Sequence, residues 1–257
     1  YAAFRLESER YPGLTAKDGS YTKAEFRDFQ KMAATYGVNV IPEIDVPAHS
    51  LAFTHYNTRL AADNKAYGMD HLDLYKKEVY DFVDSLFDEY LSGEDPVFVG
   101  PEVHIGTDEY NVNESEQFRR FTNHCMDLVA KYGKMPRLWG SLKIMKGETP
   151  VDLKGKVVSA WNYNWMDVNT CLEAGAKVVN LCDWLLYLVP AVNYYHDFLD
   201  YQWLYESWMP EMMRKDDPKV EKRNPNFLGA MLAVWNDRVG NGISQQDVHA
   251  RTFPALQ

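Results

Sequence analysis

Val103–Asn111 reads VHIGTDEYN. Val103, His104 and Ile105 make a short apolar run suited to a buried strand, and Gly106 and Thr107 interrupt it. Two adjacent carboxylates, Asp108 and Glu109, then follow at its C-terminal end. A parallel α/β sheet or barrel keeps its chemistry at that end of its strands, so this one stretch predicts both a fold class and a site.

The adjacency of the two carboxylates bears on mechanism. A glycosidase of the ordinary retaining kind holds its acid and its nucleophile on opposite sides of the scissile bond, about 5–5.5 Å apart. Neighbouring residues at one strand end seldom reach around a bond in that way, so Asp108 and Glu109 read better as a unit working from one side. The charge of Asp108 is then expected to raise the proton affinity of Glu109 and keep it a general acid, with Asp108 ionised to hold a substrate group. Taken alone, such a dipeptide more often belongs to a solvated acidic loop, and what lowers that reading is everything else that falls at strand ends.

Upstream, Thr22 and Glu25 form a capping box. Phe26, Phe29, Ala33 and Tyr36 recur at helical spacing until Gly37 ends the helix. Val38 to Ile44 predicts a buried strand running into IPEIDVPAHS, where Pro42 and Pro47 forbid regular continuation, which puts Asp45 and His49 on a strand-end loop. After a long loop to about Asp70, the apolar positions Tyr75, Val79, Phe82, Val83, Leu86 and Tyr90 mark a second amphipathic helix. Phe118, Phe121, Cys125, Leu128, Val129 and Tyr132 mark a third, after the strand carrying His104. The rhythm is that of an α/β protein.

Further strands are predicted at Arg137–Trp139, Val157–Trp161, Lys177 to about Trp184, and Leu228–Trp235, with a brief helix opening at Asp167. Four of the six strand candidates end in tryptophan, whereas core positions there favour Val, Ile and Leu. Trp139, Trp161, Trp184 and Trp235 together suggest an aromatic cage, since the apolar face of a sugar ring stacks on indole. Six strands cannot close an eight-stranded barrel, so either the sheet is open or two strands precede Tyr1. The Lys- and Pro-rich run Arg214 to Pro225 reads as a surface loop.

Bulk properties narrow the classes. The 257 residues suit one large α/β domain, 1–257. Lys plus Arg number 27 against 37 Asp plus Glu, a formal charge of −10 that opposes binding to nucleic acid. The three cysteines, Cys125, Cys171 and Cys182, have no metal or redox spacing and read as small buried apolar residues. No run approaches the roughly 18 apolar residues of a membrane helix.

IPEIDVPAHS followed by HIGTDE resembles the paired signature of family 20 glycoside hydrolases, the group of β-N-acetylhexosaminidases, dispersin-type enzymes and lacto-N-biosidases. The lead-in FRLESERYPGL and YTKAEF is similar as well, and the likeness runs from Phe4 to Trp235. The resemblance implies a (β/α)8 TIM barrel whose first two strands come before YTKAEF, so that the family's substrate-gripping Arg of the first strand and an Asp after the second fall outside these residues. It implies substrate-assisted catalysis, with the 2-acetamido oxygen attacking the anomeric carbon. Glu109 would be the acid and base, and Asp108 would orient the acetamide. Asp45 and His49 would support the acid, and Trp139, Trp161 and Trp235 would form the acetamide cage and sugar platform. Tyr187, among Leu185, Tyr187 and Val189, would hydrogen-bond the acetamide oxygen, and Asp237 would grip outer sugar hydroxyls.

The chain departs from the family pattern in two places. PAHS stands for the common PGHS, which is harmless if Ala48 does not need a positive φ, and HIGTDE for HIGGDE puts the β-branched Thr107 beside the acidic pair. The expected partner is an oligosaccharide or glycoconjugate, with no cofactor and no metal, and the expected location is secreted or at the cell surface. Two other classes stay open. One is a metal-dependent hydrolase using Asp45, His49, His104 and Asp108, and the other is a sugar-binding domain without catalysis.

Overall fold

The computed structural model describes residues 2–63, 66–67, 70–214, 223–240 and 242–256. Most of the run from Arg214 to Pro225 therefore lies outside the described residues. The chain divides into two compact units, Tyr1–Asp152 and Leu153–Gln257.

In the first unit, α1 (Lys23–Thr35) opens on the expected capping box, with the Thr22 side chain accepting from the Glu25 amide and Glu25 returning to the Thr22 backbone. Its buried side matches the predicted stripe only at Ala33. Gln30 and Ala33 are buried, whereas Phe29 and Tyr36 are exposed. The helix is pegged to the following segment by polar contacts: Gln30 Nε2 donates to the Val97 carbonyl at 2.7 Å and Oε1 accepts from the Val99 amide at 3.2 Å.

Strand β1 is Glu43–Val46, shorter and later than predicted, so Asp45 lies within the strand rather than on the loop after it. A short helix α2 (Leu51–Tyr56) follows within the predicted loop. Helix α3 (Lys77–Leu91) buries Val79, Phe82, Val83, Leu86 and Tyr90, the expected face. Strand β2 (Glu102–Gly106) buries Val103 and Ile105 completely. Helix α4 (Ser115–Lys131) buries Phe118, Phe121, Cys125 and Val129, and β3 is Met135–Trp139. Strand β2 pairs in parallel with β1, Glu43 opposite His104, and with β3, His104 opposite Arg137. Glu43, His104 and Arg137 thus form one row across the three strands. Beyond that row the pairing of β1 with β2 shifts register, so that Val46 lies opposite Gly106, while on β3 Trp139 shares the face of Arg137 two residues earlier.

In the second unit, β4 (Val157–Ala160) and β5 (Lys177–Asn180) are parallel, with α5 (Val168–Glu173) between them capped by Asp167 as read. The strand predicted to reach Trp184 ends at Asn180, and Trp184 lies on a short helix α6 (Asp183–Leu186). Asn180 accounts for the break: its side-chain oxygen accepts from the Cys182 amide at 3.0 Å, turning the chain. Strand β6 is Tyr187–Leu188, and α7 is Tyr201–Glu206. The last predicted strand is divided into β7 (Phe227–Ala230), parallel to β5, and β8 (Ala233–Val234), parallel to β6. Helix α8 is Gln245–Leu256.

All three cysteines are free and buried, as expected. Among the described residues, no helix is long and apolar enough to cross a membrane.

Candidate active site

Four of the residues singled out in the sequence converge at the C-terminal ends of β1 and β2. His49 Nδ1 lies 2.7 Å from Asp45 Oδ2 and 3.4 Å from Asp108 Oδ1, while Nε2 lies 3.1 Å from Glu109 Oε2. Three carboxylates thus surround one imidazole. Burial works against a charged imidazole here, but the charges of Asp108 and Asp45 outweigh it and hold His49 well above the ordinary histidine range. His49 is an imidazolium that donates from Nδ1 to Asp45 and from Nε2 to Glu109.

Asp108 is the carboxyl of this cluster that burial bears on most directly. Burial first and the Asp45 charge second push Asp108 up to about 8, against the opposing pull of His49. Asp108 is buried, and its Oδ1 has no hydrogen-bond partner, nor does the buried Oδ1 of Asp45. Such atoms cost about 1–3 kcal/mol each while unpartnered, which is the physical content of the raised proton affinity.

The backbone around these groups is unusual. His49, Thr107 and Glu109 have φ of 50°, 68° and 39°, a left-handed region that side chains other than glycine enter at a cost. Ala48 is absent from that set and is fully buried, so alanine is accommodated there without strain. Thr107 is the departure that falls on a left-handed position. Gly106, at φ +71°, brings the main chain against Asp45.

Trp139 closes β3 and is 5 % exposed, its indole Nε1 donating to Glu43 Oε1 at 2.7 Å. Glu43 was not singled out, although the period of two that puts it on the face of Asp45 was readable in IPEIDV. His104 lies tilted against Trp139, ring centroids 4.7 Å apart, and away from the carboxylate cluster, its Nδ1 3.3 Å from Glu43 Oε1. His71 and Ser141, also not singled out, hydrogen-bond the main chain beside Asp108 and Glu109. No local pattern marks either one.

Asp45, His49 and Asp108 each offer a ligand atom within 4.8 Å of the others. Both ring nitrogens of His49 are already turned to carboxylates, so a metal there would have to displace one of those contacts. His104 does not join the group.

The second unit holds its own aromatic cluster. Trp161, directly after β4, is buried and lies 5.6 Å from the buried Trp165. Tyr187 is buried, with Tyr195 and Trp235 each 5.5 Å away, and Trp235, just past β8, is 37 % exposed. Trp184 is 58 % exposed and meets Tyr195 edge-on. Asp237 lies exposed in the turn after Trp235. At the centre is Asp183, which the sequence did not mark. Its Oδ2 accepts from Asn162 Nδ2 at 2.7 Å and from Tyr195 OH at 3.0 Å. Burial raises its proton affinity against those two donors.

Comparison with known proteins identifies the family and the fold. The description "Glycosyl hydrolase family 20, catalytic domain" matches residues 1–256. The chain is 25 % identical over 281 residues to beta-hexosaminidase subunit A2 of Dictyostelium discoideum, covering 98 % of this chain and 48 % of that protein. It is 24 % identical over 248 residues to the lacto-N-biosidase of Bifidobacterium bifidum, covering 84 % of this chain and 21 % of the other. The crystal structure of dispersin B superposes with a TM-score of 0.77 at 17 % identity, over 99 % of this chain and 85 % of that one, which establishes a TIM-barrel-type α/β fold. The chain spans half or less of the length of these two curated relatives.

Proposed function

The chain belongs to glycosyl hydrolase family 20, and on that premise we propose that it is a retaining exo-glycosidase releasing terminal β-linked N-acetylhexosamine by substrate-assisted catalysis. The observation that carries the reading is that the adjacent residues Asp108 and Glu109 both reach one imidazole, His49, Asp108 at Nδ1 and Glu109 at Nε2. Neighbouring residues held at one strand end by a shared imidazole seldom reach around a glycosidic bond, which supports an attacking atom supplied by the substrate.

In this mechanism the acetamido carbonyl oxygen attacks the anomeric carbon as the glycosidic C–O bond breaks. Glu109 gives its proton to the leaving oxygen, and an oxazolinium forms. His49 holds Oε2 of Glu109, which leaves the other oxygen to carry the proton. Asp108 accepts the acetamide N–H, whose positive charge grows as the ring closes. That donor would offset the unfavourable burial of an ionised Asp108. Water, activated by the now ionised Glu109, opens the oxazolinium with retention. Trp139, Trp161, Tyr187 and Trp235 take the cage, platform and acetamide-binding roles that family correspondence gives them, and Asp237 takes the outer hydroxyls.

Similarity to a lacto-N-biosidase favours a second reading, release of a disaccharide. Chromogenic glycosides of GlcNAc, GalNAc and lacto-N-biose, assayed side by side, separate the two. The decisive variants are Glu109→Gln and Asp108→Asn, each expected to lose at least about 100-fold in kcat. Cleavage of plain glucosides as readily as acetamido glycosides would refute the mechanism, and activity lost on prolonged chelation would favour a metal hydrolase instead.

A further inference from the structure

We infer that His71 and Ser141 are positioning residues that clamp the Asp108–Glu109 pair from both sides through its flanking carbonyls. The inference rests on the reading of Glu109 as proton donor and Asp108 as acetamide acceptor. Its structural basis is independent of that reading.

Two of the left-handed residues of the site, Thr107 and Glu109, bracket Asp108. Both are side-chain-bearing residues in a region of φ that they rarely occupy, and Thr107 is β-branched. Left alone, such a tripeptide would relax toward extended backbone and swing both carboxylates away from His49. Strained backbone persists where the surroundings over-determine it. Here two buried side chains do so. Ser141 Oγ donates to the Thr107 carbonyl at 3.0 Å, and His71 Nε2–H donates to the Glu109 carbonyl at 3.0 Å. Each of the two side chains is 1 % exposed. A third bond, from the Thr107 amide to the Val46 carbonyl at 2.9 Å, ties the same tripeptide to the end of β1.

The donors are themselves fixed. The Leu72 amide, next to His71, donates to the Pro47 carbonyl at 2.8 Å, and the His71 carbonyl accepts from the Ala62 amide at 2.9 Å. The His71 ring meets Tyr110 edge-on at 4.9 Å, and Tyr110 OH donates to the Leu72 carbonyl at 2.8 Å. Ser141 lies just past the end of β3, and its carbonyl accepts from the Met145 amide at 3.0 Å. The bonds from both side chains run to main-chain carbonyls of the segment. They act through the main chain, and a displacement of about 1 Å at a reacting group is enough to cost on the order of 100-fold in rate.

Because the clamps hold different residues, they predict different losses. His71 governs Glu109, so its loss should matter most where a proton must reach a poor leaving group. Ser141 governs Thr107 and hence Asp108, so its loss should matter whatever the leaving group. The test compares phenyl and 2,4-dinitrophenyl 2-acetamido-2-deoxy-β-glucopyranosides, the second of which departs without a proton. His71→Phe, which keeps an aromatic ring against Tyr110, is expected to lose about tenfold or more in kcat on the phenyl glycoside and less than about threefold on the dinitrophenyl one, with KM little changed. His71→Gln, which keeps a donor, should recover most of the loss. Ser141→Ala should lose about equally on both substrates. Equal losses for His71→Phe on the two substrates, or no loss, would overturn its role. A leaving-group-dependent loss for Ser141→Ala would overturn the division of labour. Amide hydrogen exchange of residues 106–110 is measured in parallel. Should the parent protein cleave neither glycoside, the proposed activity falls, while faster exchange in both variants still upholds the clamp and unchanged exchange removes it.

Discussion

A Cβ built on Gly106 would stand 1.9 Å from Asp45 Oδ1 and 2.7 Å from Asp45 Cα. No rotamer change relieves a clash with a Cα, so the carboxylate that holds His49 depends on a missing methyl group two residues before Asp108. Gly106→Ala should displace β1 from β2 and lower kcat by about 100-fold or more. Gly133 has the same φ of +71° with nothing within 4 Å of its would-be Cβ, so Gly133→Ala isolates the backbone cost, about 1–2 kcal/mol. If both variants lose the same stability and Gly106→Ala keeps full activity, the close approach has no functional weight.

Asp108 fixes the sign of a pH effect on stability. Its carboxyl is pushed up to about 8 in the folded chain from 3.8, by burial first and Asp45 second. The folded state therefore binds this proton more tightly than the unfolded state. The resulting stabilisation is whole below about pH 4 and is lost as the pH climbs toward 8. Asp108→Asn cannot ionise, so it should melt higher than the parent at pH 8, by about 2–4 °C per kcal/mol relieved, and the two curves should converge near pH 4. A variant that melts lower than the parent at pH 8 would mean that the ionised carboxylate is well accommodated.

How far these features could be read from the sequence depends on the range of the interactions behind them. Helix α3 was legible because Val79, Phe82, Val83 and Leu86 repeat on one face, and Asp45, His49, Asp108 and Glu109 were legible because each lies in a short motif at a strand end. The end of β5 was not. LCDWLLYLV is an unbroken apolar run, and a buried turn of helix and a buried strand look alike by composition. The turn is set instead by the Asn180 side chain capturing the Cys182 amide. Helix α1 misled in another way, since its periodicity was right but its burial is set by Gln30 reaching the Val97 and Val99 backbone. His71 and Ser141 were invisible because their partners are main-chain carbonyls 38 and 34 residues away, which leave no mark on residue type at either end.

Glu43 offers a third test, directed at Trp139. Its carboxylate accepts the indole N–H at 2.7 Å, and a hydrogen bond to a charged group contributes about 1.5–3 kcal/mol. Glu43→Gln keeps an acceptor and should leave tryptophan emission and KM for acetamido glycosides near the parent values. Glu43→Leu removes it and should shift the emission and raise KM several-fold with a smaller effect on kcat. Identical behaviour of the Gln and Leu variants would show that packing alone holds Trp139.

The last test concerns His49 itself, which works as a fixed cation only while the carboxylates around it keep it protonated. Burial opposes that charge, and Asp108 and Asp45 outweigh it. Removing the nearer of the two by Asp45→Asn takes away a group that favours the charged form, so the proton should leave His49 at a lower pH than in the parent. The alkaline limb of kcat/KM, which reports groups of the free protein, should then move to lower pH. His49→Asn makes the complementary change. Asparagine tolerates the left-handed backbone that His49 adopts at φ 50°, so the loop should keep its path while Glu109 Oε2 loses its donor. A fall in kcat of about 100-fold with KM within a few-fold is expected, because the contact acts on the proton donor and not on substrate affinity. An unmoved alkaline limb in Asp45→Asn, together with a loss confined to KM in His49→Asn, would show that the imidazole only fixes the loop and takes no part in holding the acid.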